Sequence, residues 1–199
     1  MAKFPNPIQK LILQLRKLPG VGSKTAERYA FEILSWKPEA LELLSDSLKS
    51  IHTQIQPCPN CFCLKSDIDC EFCNPSKRDS SSLCIVSVAK DIYPIEETRI
   101  FKGMYHVIGG MLSPLYGYNT DKFDIEKIKS RIQEMGVVDV VLALDATLEG
   151  DATSLFLKEE LQGCNVKISR LAFGIPLGSS LDYVDPGTLT RAFLGRHLF

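Results

Sequence analysis

Four cysteines arranged in two close pairs are the residues of this chain best placed to do chemistry. They form the motifs Cys58-Pro-Asn-Cys61 and Cys70-Glu-Phe-Cys73, with eight residues between the pairs. Two thiolates three positions apart can hold one cation from a tight turn, and a second such turn completes a tetrahedral site. Pro59 fixes its own φ angle, which stiffens the first turn. The spacing therefore predicts one structural Zn²⁺ per chain, with Cys58, Cys61, Cys70 and Cys73 as its ligands.

Disulfide bonds and a redox-active pair are the alternatives for these cysteines. The sequence Met1-Ala-Lys-Phe-Pro-Asn-Pro7 lacks the apolar segment of a secretion signal. We therefore expect a reducing cytoplasm, where paired cysteines more often bind metal than form disulfides. Cys63 is a fifth thiol in the loop, but its spacing from Cys61 is too tight for a ligand pair. Cys84 and Cys164 are expected to be a core thiol and a surface thiol.

A second motif, Leu18-Pro-Gly-Val-Gly-Ser-Lys-Thr-Ala26, predicts a contact with a nucleic-acid backbone. A turn between two helices leaves N–H groups unpaired at the start of the second helix, where the helix dipole favours a phosphate. Gly20 and Gly22 allow close approach because they have no Cβ atom. Lys24 and Arg28 lie four positions apart on one helix face. Such contacts read no bases, so we expect sequence-independent, salt-sensitive DNA binding; the alternative is an ordinary helix turn with a solvated basic face.

Composition and charge distribution are typical of a globular protein with more than one kind of partner. The chain has 199 residues, of which 45% are apolar, enough for a sizeable core. No apolar run approaches the roughly 20 residues that a membrane helix needs, so no membrane contact is expected. The net charge is −1, but basic residues dominate positions 1–30 and acidic residues dominate positions 120–162. We expect a polyanion contact at one face and a protein contact at another, the alternative being ordinary solvated surface.

The hydrophobic pattern changes from helical to mixed after the cysteines. Three segments with helical spacing begin near Pro7, Ser23 and Pro38, and the polar stretch Asn74–Ser82 is predicted to be a loop or linker. Beyond it, strands are predicted over 83–88, 105–108, 137–144 and 166–171, and helices over 91–98, 124–135, 153–161 and 188–194. Strands that alternate with helices predict an α/β domain with a mostly parallel sheet covered on both faces.

Three carboxylates follow one of the predicted strands, in the segment Leu144-Asp-Ala-Thr-Leu-Glu-Gly-Asp-Ala-Thr153. Asp145, Glu149 and Asp151 cluster where a parallel strand ends, which is where α/β sheets place their sites. Carboxylates at that edge can hold Mg²⁺ for phosphoryl chemistry. The segment is therefore a candidate site for a cation or for a basic partner.

Three weaker features have ordinary structural explanations. The segment Gly174-Ile-Pro-Leu-Gly178 lacks the Gly-Lys-Ser/Thr ending of a phosphate loop, so a structural turn is predicted. His106 has no paired carboxylate or second histidine nearby in the sequence, so we expect a hydrogen-bonded core histidine. The segment Arg191–Arg196 at the end of the last helix is predicted to be solvated or part of a subunit contact.

Taken in this order, the motifs resemble the RecR family of bacterial recombination mediators. The resemblance continues through Tyr105-His-Val-Ile-Gly-Gly-Met-Leu-Ser-Pro114, Glu149-Gly-Asp-Ala-Thr153 and Arg170-Leu-Ala-Phe-Gly-Ile-Pro-Leu-Gly178, and so spans nearly the whole chain. The α/β part looks like a Toprim domain, the module shared with topoisomerases and primases. The division that this implies is a helix-hairpin-helix unit at 1–56, a four-cysteine zinc finger at 57–74, a Toprim domain at 80–176, and a C-terminal segment with a possible oligomer contact at 177–199.

One position departs from the pattern of catalytic Toprim domains. Those domains carry a general-acid glutamate at the end of the first strand and an Asp-x-Asp pair later. Here Ser87 stands where the RecR family itself usually has glutamate, and the later acids form no Asp-x-Asp pair. A serine supplies no carboxylate to protonate a leaving oxygen or to complete a metal cage. We therefore expect the three acids to form a docking surface or a weak Mg²⁺ site, with no catalytic residue.

The resemblance implies a non-enzymatic mediator of recombinational repair in the cytoplasm, associated with the nucleoid. Such proteins bind single- and double-stranded DNA, assemble into dimers and ring-like tetramers, and act with RecO and RecF to help RecA load at gaps. Two other functions remain open from the sequence: a metal-dependent Toprim nuclease or primase, and an RNA-binding zinc protein. Ser87 argues against the first, and the lack of paired aromatic residues on a basic sheet argues against the second.

Overall fold

The computed structural model describes residues 4–66, 68–113 and 119–196. One position of the predicted zinc finger, the last residue of the Tyr105–Pro114 motif and the last three residues of the C-terminal segment lie outside these ranges. In chain order the elements are α1 (Asn6–Leu15), α2 (Ser23–Leu34), α3 (Pro38–Gln54), β1 (Gln56–Pro57), β2 (Leu64–Lys65), β3 (Asp79–Val86), α4 (Ile92–Thr98), β4 (Gly103–Val107), α5 (Ile125–Met135), β5 (Asp139–Ala143), α6 (Leu148–Leu161), β6 (Lys167–Arg170) and α7 (Pro186–Leu194). None of the helices in the described ranges has the length and hydropathy needed to cross a membrane.

The first of two structural units ends at Ile55 and contains α1, α2 and α3. Ala26 and Ala30, four positions apart on α2, are its fully buried residues. Small side chains at this spacing allow α1 to approach α2 closely, because they form a shallow stripe along one face. The rings of Phe4 and Phe31 meet edge to face at 5.4 Å. The three predicted helices and the turn between the first two are thus confirmed.

The second unit, from Gln56 onward, is built on a four-stranded parallel sheet with the order β4-β3-β5-β6. Ile85 of β3 pairs with His106 of β4 on one side and with Leu142 of β5 on the other. The chain therefore passes from β3 to one neighbour and later returns to the opposite neighbour. Such a reversal opens a crevice at the carboxyl ends of the strands, here after β3 and β5.

The two faces of the sheet are covered by different structures. Leu83 and Ile85 of β3 point into a core completed by α5 and α6, which contribute Ile128, Ile132, Leu157 and Leu161. Cys84 and Val86 point to the opposite face, because successive side chains of a strand alternate. That face is covered by α4 and by a group of buried cysteines, Cys58, Cys61, Cys63 and Cys70. The predicted parallel sheet with two covered faces is confirmed. The cysteine segment covers part of the face that carries Cys84 and Val86.

The first strand of the sheet begins earlier than predicted. The stretch Asn74–Ser82 was expected to be a loop, yet β3 already starts at Asp79. The N–H of Asp79 donates to the carbonyl of Lys102 at 3.0 Å, and the N–H of Val138 donates to the carbonyl of Ser81 at 2.8 Å. Polar side chains concealed this strand end, since only backbone pairing with both neighbours defines it.

The helix after β5 also begins earlier, at Leu148 instead of Thr153. The hydroxyl of Thr147 accepts from the N–H of Gly150 at 3.1 Å, which caps the helix. A Cβ atom built on Gly150 would lie 2.0 Å from the carbonyl oxygen of Asp145. Gly150 is therefore the residue that lets the helix pack against the end of β5.

This contact predicts that Gly150→Ala destabilises the second unit. The added methyl must displace the Asp145 carbonyl, and overpacking of this kind costs about 1–3 kcal/mol in the free energy of unfolding. Urea or thermal unfolding measures the change. The control is Gly163→Ala, just beyond the same helix, whose Cβ meets nothing within 4 Å. Equal stability of Gly150→Ala and the parent would show that the Asp145 loop is not held against the helix.

Candidate metal centre and nucleic-acid interface

The four predicted zinc ligands meet in one place. The sulfur atoms of Cys58, Cys61, Cys70 and Cys73 all lie within 4.8 Å of one another. Cys58 Sγ is 3.7 Å from Cys73 Sγ, and Cys61 Sγ is 3.5 Å from Cys70 Sγ. A tetrahedral zinc ion with Zn–S bonds of about 2.3 Å requires sulfur separations of about 3.8 Å. The four thiols and their spacing therefore fit such an ion. Among the described residues, these four cysteines form a group of side chains whose ligand atoms lie close enough to share one metal ion.

A short antiparallel hairpin shapes the first pair of cysteines. Strands β1 and β2 pair Gln56 with Lys65, so the chain reverses between them. The N–H of Cys58 donates to the carbonyl of Cys63 at 2.7 Å, and the N–H of Phe62 donates to the carbonyl of Cys58 at 2.9 Å. Phe62 has a φ of 60°, in the left-handed region. This tight turn brings the Cys58 and Cys61 thiols to one side, as the spacing predicted.

The surroundings give the four thiols different acidities. Burial alone would raise the pKa of Cys58, but neighbouring backbone N–H groups lower it to about 7. Burial raises the pKa of Cys70 to about 11. A hydrogen bond with Cys63 raises the pKa of Cys61, and a hydrogen bond with Cys61 raises the pKa of Cys73. Four adjacent thiolates need a counter-charge, and a bound divalent cation supplies one while it displaces the protons.

The other three cysteines lie outside this group. Cys63 is fully buried beside it, with its Sγ 3.8 Å from the carbonyl oxygen of Cys61. Cys84 is buried on β3, where burial raises its thiol pKa to about 12. Cys164 is partly exposed after α6. The expectation that Cys84 is a core thiol is confirmed, and the exclusion of Cys63 from the ligands stays a prediction.

The cysteine turns close one edge of the parallel sheet. Strand β4 is an outer strand, and outer strands leave backbone N–H groups unpaired. The N–H of Val107 donates to the carbonyl of Cys61, and the N–H of Tyr105 donates to the carbonyl of Phe72, both at 2.9 Å. Each cysteine turn thus satisfies one donor of β4. The metal centre is consequently part of the packing of the second unit.

Arg78 ties the second cysteine turn to α4 and β4, and sequence analysis did not identify it. Its Nε donates to the carbonyl of Glu71 at 2.7 Å, and its two terminal nitrogens donate to the Glu96 carboxylate at 2.6 and 3.0 Å. The Tyr105 hydroxyl donates to the same carboxylate at 2.7 Å. The guanidinium also stacks on the rings of Phe72 and Tyr105. The hydrogen bonds from Arg78 hold the pKa of Glu96 below its ordinary value.

The glycine turn of the first unit has the geometry expected of an anion contact. Gly20 has a φ of 77°, which favours glycine, and the N–H of Val21 donates to the carbonyl of Leu18 at 3.1 Å. Gly22 caps α2 in an extended conformation and offers no side chain to the first-turn N–H groups. A Cβ on Gly22 would meet nothing within 4 Å. The chain's own packing therefore does not require a glycine at position 22.

Lys24 and Arg28 present their charges to solvent. The Lys24 side chain is 95% exposed, although its ammonium lies 3.3 Å from the Glu27 carboxylate. An exposed pair of this kind is weak, so it leaves the ammonium available. The Arg28 guanidinium lies 5.6 Å from the centre of the adjacent Tyr29 ring. Positions 24 and 28 share one face of α2 because they are four residues apart.

The three predicted acids at the end of β5 do not form one acidic surface. Asp145 and Glu149 are exposed, and Leu148 between them is 81% exposed. Asp151, in contrast, is paired with two arginines: Arg170 Nη1 lies 2.7 Å and Arg191 Nη2 lies 2.8 Å from its carboxylate oxygens. Partial burial alone would raise the pKa of Asp151, but these guanidiniums hold it below its ordinary value.

The pairing of Asp151 anchors the last helix to the sheet unit. Arg170 ends β6 and Arg191 lies on α7, and both guanidiniums stack on the ring of Phe173, at 4.3 and 4.6 Å from its centre. One carboxylate and one aromatic ring thus join α6, β6 and α7. Arg191 was expected to be solvated or part of a subunit contact. Its charge is paired within the chain, which corrects the first alternative, and the subunit contact stays a prediction.

Ser87 at the end of β3 is committed to a local structural role. The residue is 3% exposed, and its hydroxyl donates to Asp91 at 2.6 Å. The N–H of Val88 donates to the same carboxylate oxygen at 3.1 Å. Asp91, which sequence analysis did not single out, therefore organises the turn before α4. A short side chain at position 87 leaves room for this arrangement.

His106 is a core histidine, as predicted. It is 1% exposed, and its Nδ1 accepts from Arg131 Nη1 at 2.8 Å, while Arg131 Nη1 also donates to the Tyr105 carbonyl at 3.0 Å. Burial lowers the pKa of His106 to about 3, with a further contribution from Arg131. The neutral imidazole accordingly serves as a buried acceptor for an otherwise costly arginine.

A helical hairpin with an uncapped basic helix start, a four-thiol centre and a doubly wound parallel sheet define a protein of the Toprim class with a helix-hairpin-helix unit. The family profile "RecR, helix-hairpin-helix" matches residues 8–52, "Toprim domain" matches 81–172, and "RecR, C-terminal" matches 174–197. The chain is 50% identical over 197 residues to "Recombination protein RecR" of Protochlamydia amoebophila (strain UWE25), covering 99% of this chain and 100% of that protein. It is 50% identical to the proteins of the same name from Chlamydia pneumoniae, over 201 residues and 100% of both chains, and from Chlamydia caviae, over 199 residues and 99% of both. The chain belongs to the RecR family of recombination proteins.

Proposed function

We propose that this chain is a non-enzymatic, DNA-binding mediator of recombinational repair. The observation that carries the proposal is an exposed glycine-bearing helical hairpin in a chain that aligns end to end with RecR proteins. The proposed roles fall on a helix-hairpin-helix unit at 1–56, a zinc finger at 57–74, a Toprim domain at 80–176 and a C-terminal segment at 177–199. We propose that the protein acts in the cytoplasm, in association with the nucleoid.

DNA contact is proposed for Gly20, Gly22, Lys24 and Arg28. The start of α2 has no side-chain cap, so its first N–H groups and its dipole are available to a phosphate oxygen. Lys24 and Arg28 add two charges on the same helix. All of these groups address the backbone, so single- and double-stranded DNA of any sequence are the expected ligands.

Changing both Lys24 and Arg28 to alanine is expected to weaken DNA binding equally for unrelated sequences. The slope of log K against log salt should fall by about 0.9 for each phosphate of duplex DNA that the variant no longer neutralises. Fluorescence anisotropy at several salt concentrations measures both effects. Gly22→Ser is expected to weaken binding as well, because it adds a Cβ at the binding surface while improving the helix cap.

The matched control is Lys37→Ala with Lys49→Ala, which removes the same charge from other exposed positions of the first unit. Equal losses of affinity in the control and the hairpin variant would mean that net charge, and not the hairpin, determines binding. Unchanged affinity in the hairpin variant would eliminate the hairpin as the DNA-binding element.

The ion proposed for the four-cysteine centre is zinc, in a structural role. Four protein ligands fill a tetrahedral coordination sphere and leave no position for a substrate. The sulfur spacing fits that geometry, and the burial of Cys61 and Cys58 keeps water away from it. Zinc would join the two turns whose carbonyls pair with β4, so its binding energy would contribute to folding of the second unit.

Purified protein is therefore expected to contain one zinc ion per chain, and Cys70→Ser to lose it together with solubility. Elemental analysis measures the zinc content, and circular dichroism after chelation measures the structural consequence. Cys164→Ser is the control, because that thiol lies outside the quartet. Full folding of a zinc-free preparation would contradict the structural role.

The segment after β5 is proposed as a protein-docking surface. Of the three acids expected there, Asp145 and Glu149 form this surface. Exposed carboxylates beside the exposed Leu148 suit a partner with basic and apolar side chains. Asp151 is left out of this surface because its charge is already paired. The family suggests RecO and RecF as partners, RecA loading at gapped DNA as the outcome, and dimers or tetrameric rings as the assembled state.

The alternative function, a metal-dependent Toprim nuclease or primase, is disfavoured by the same edge of the sheet. Ser87 provides no carboxylate, and Asp151 is occupied by two guanidiniums. Asp145 and Glu149 alone would make at most a weak Mg²⁺ site, because they offer few of the ligands that the ion requires.

Glu149→Lys is expected to impair binding to RecO without changing zinc content or the unfolding midpoint, because the residue is exposed in the first turn of α6. Pull-down or calorimetry with RecO measures the effect, and Glu159→Lys, exposed at the other end of the same helix, is the control. The parent is expected to show no cleavage, joining or primer synthesis with Mg²⁺ or Mn²⁺. Turnover that disappears on changing Asp145 would restore the enzyme alternative.

A further inference from the structure

A cavity of about 310 Å³ lies beside the second cysteine turn, and its lining includes neither the four clustered cysteines nor the residues of the glycine hairpin. It is lined by the four cations Lys77, Arg78, Arg99 and Lys102, the two carboxylates of Glu71 and Glu96, and the ring of Phe101. All of these residues belong to the second unit. Its volume is large enough for a phosphate group with part of the sugar attached to it.

Two of the charges in the cavity wall neutralise each other. Arg78 and Glu96 form a two-point ion pair, and the Arg78 side chain is only 12% exposed. The guanidinium also donates to the carbonyls of Glu71 and Gly103. This pair therefore builds the wall and is not available to a ligand.

The other three cations face solvent without an ion-pair partner. Lys77, Arg99 and Lys102 are exposed, and in the described part of the chain their side chains take part in none of the hydrogen bonds or ion pairs. Glu71 is the carboxylate of the lining that lies outside the Arg78–Glu96 pair, and Lys102 is also near enough to Glu96 to contribute to its lowered pKa. The cavity thus has a net excess of positive charge, directed at whatever enters it.

Arg99 occupies a backbone position that would suit glycine better. It ends α4 with a φ of 58° and a ψ of 12°, in the left-handed region. Helices usually end in this conformation with glycine, because a Cβ is unfavourable there. An arginine at this position accepts a conformational cost that glycine would avoid.

We propose that this cavity binds a phosphodiester group of a nucleic-acid strand, with Lys77, Arg99 and Lys102 as the binding side chains and the Arg78–Glu96 pair as the fixed wall. Three donors around a recess suit a tetrahedral anion, and Phe101 offers an apolar surface to the adjoining sugar. The site gives the second unit its own contact with the DNA backbone, separate from the hairpin. It rests on the proposed DNA binding, but not on the hairpin as the point of contact.

The test compares Arg99→Gly combined with Lys102→Gln against Lys158→Gln combined with Lys90→Gln, two exposed lysines outside the cavity. All variants carry Lys24→Ala and Arg28→Ala, so that hairpin binding does not mask the result. Binding of an oligothymidylate strand is measured by anisotropy over a range of salt concentrations. The cavity variant should bind about tenfold more weakly at moderate salt, with the salt slope reduced by about 0.7 for each phosphate no longer neutralised, whereas the control should stay close to its background.

Thermal unfolding separates this role from a structural one. Glycine adopts the left-handed conformation without strain, so Arg99→Gly should keep or raise the Tm if the side chain serves a ligand. A lowered Tm would assign Arg99 to stabilising the end of α4 and would overturn the proposal. Photocrosslinking with 4-thiothymidine strands should place an adduct on the peptide containing Phe101.

The remaining outcomes are equally decisive. Equal affinity of the cavity variant and its background would overturn the cavity as a DNA contact while leaving the proposed function intact. A poly-glutamate peptide that binds the parent but not the cavity variant, with DNA binding unchanged, would make the cavity a site for acidic peptides instead. Absence of DNA binding by the otherwise unmodified chain would overturn both the cavity site and the proposed function.

Discussion

The closure of the outer strand β4 by the cysteine turns is the contact on which the second unit depends. Two backbone N–H groups, of Tyr105 and Val107, would otherwise remain unpaired at the edge of a parallel sheet. Their acceptors, Phe72 and Cys61, lie on separate turns that meet at the sulfur cluster. A metal bound by these sulfurs would hold the two turns together, and the turns complete the sheet edge beside the buried face that contains Cys84 and Val86.

At the carboxyl ends of β3 and β5, groups expected at a catalytic edge take part in structural contacts. Ser87 and Asp91 satisfy each other, and Asp151 is held by Arg170 and Arg191. The charge of Asp151 is thus neutralised by its partners, and the carboxylates of this segment that remain exposed are those of Asp145 and Glu149, beside the exposed Leu148. An architecture shared with catalytic domains thus uses charged groups at this edge to hold α7 in place.

Sequence periodicity predicted the elements of this fold well and their polar ends poorly. The buried parts of β3, β4 and β5 stood out as apolar runs, since a parallel strand is covered on both faces. The start of β3 at Asp79 and the start of α6 at Leu148 did not stand out. Both are defined by hydrogen bonds, to the Lys102 carbonyl and to the Thr147 hydroxyl, and such bonds leave no hydrophobic signature.

The sequence by itself determined the sites built from neighbouring residues. Cysteines three positions apart must share a turn, and Lys24 and Arg28 must share a helix face, because backbone geometry alone relates them. Tertiary structure decided which distant groups meet: Asp151 with an arginine forty positions later, and Arg78 with Glu96 eighteen positions later. Whether a charged residue is a free ligand or a paired anchor depends on the path of the chain between the two partners, and that path is set by the packing of the whole sheet.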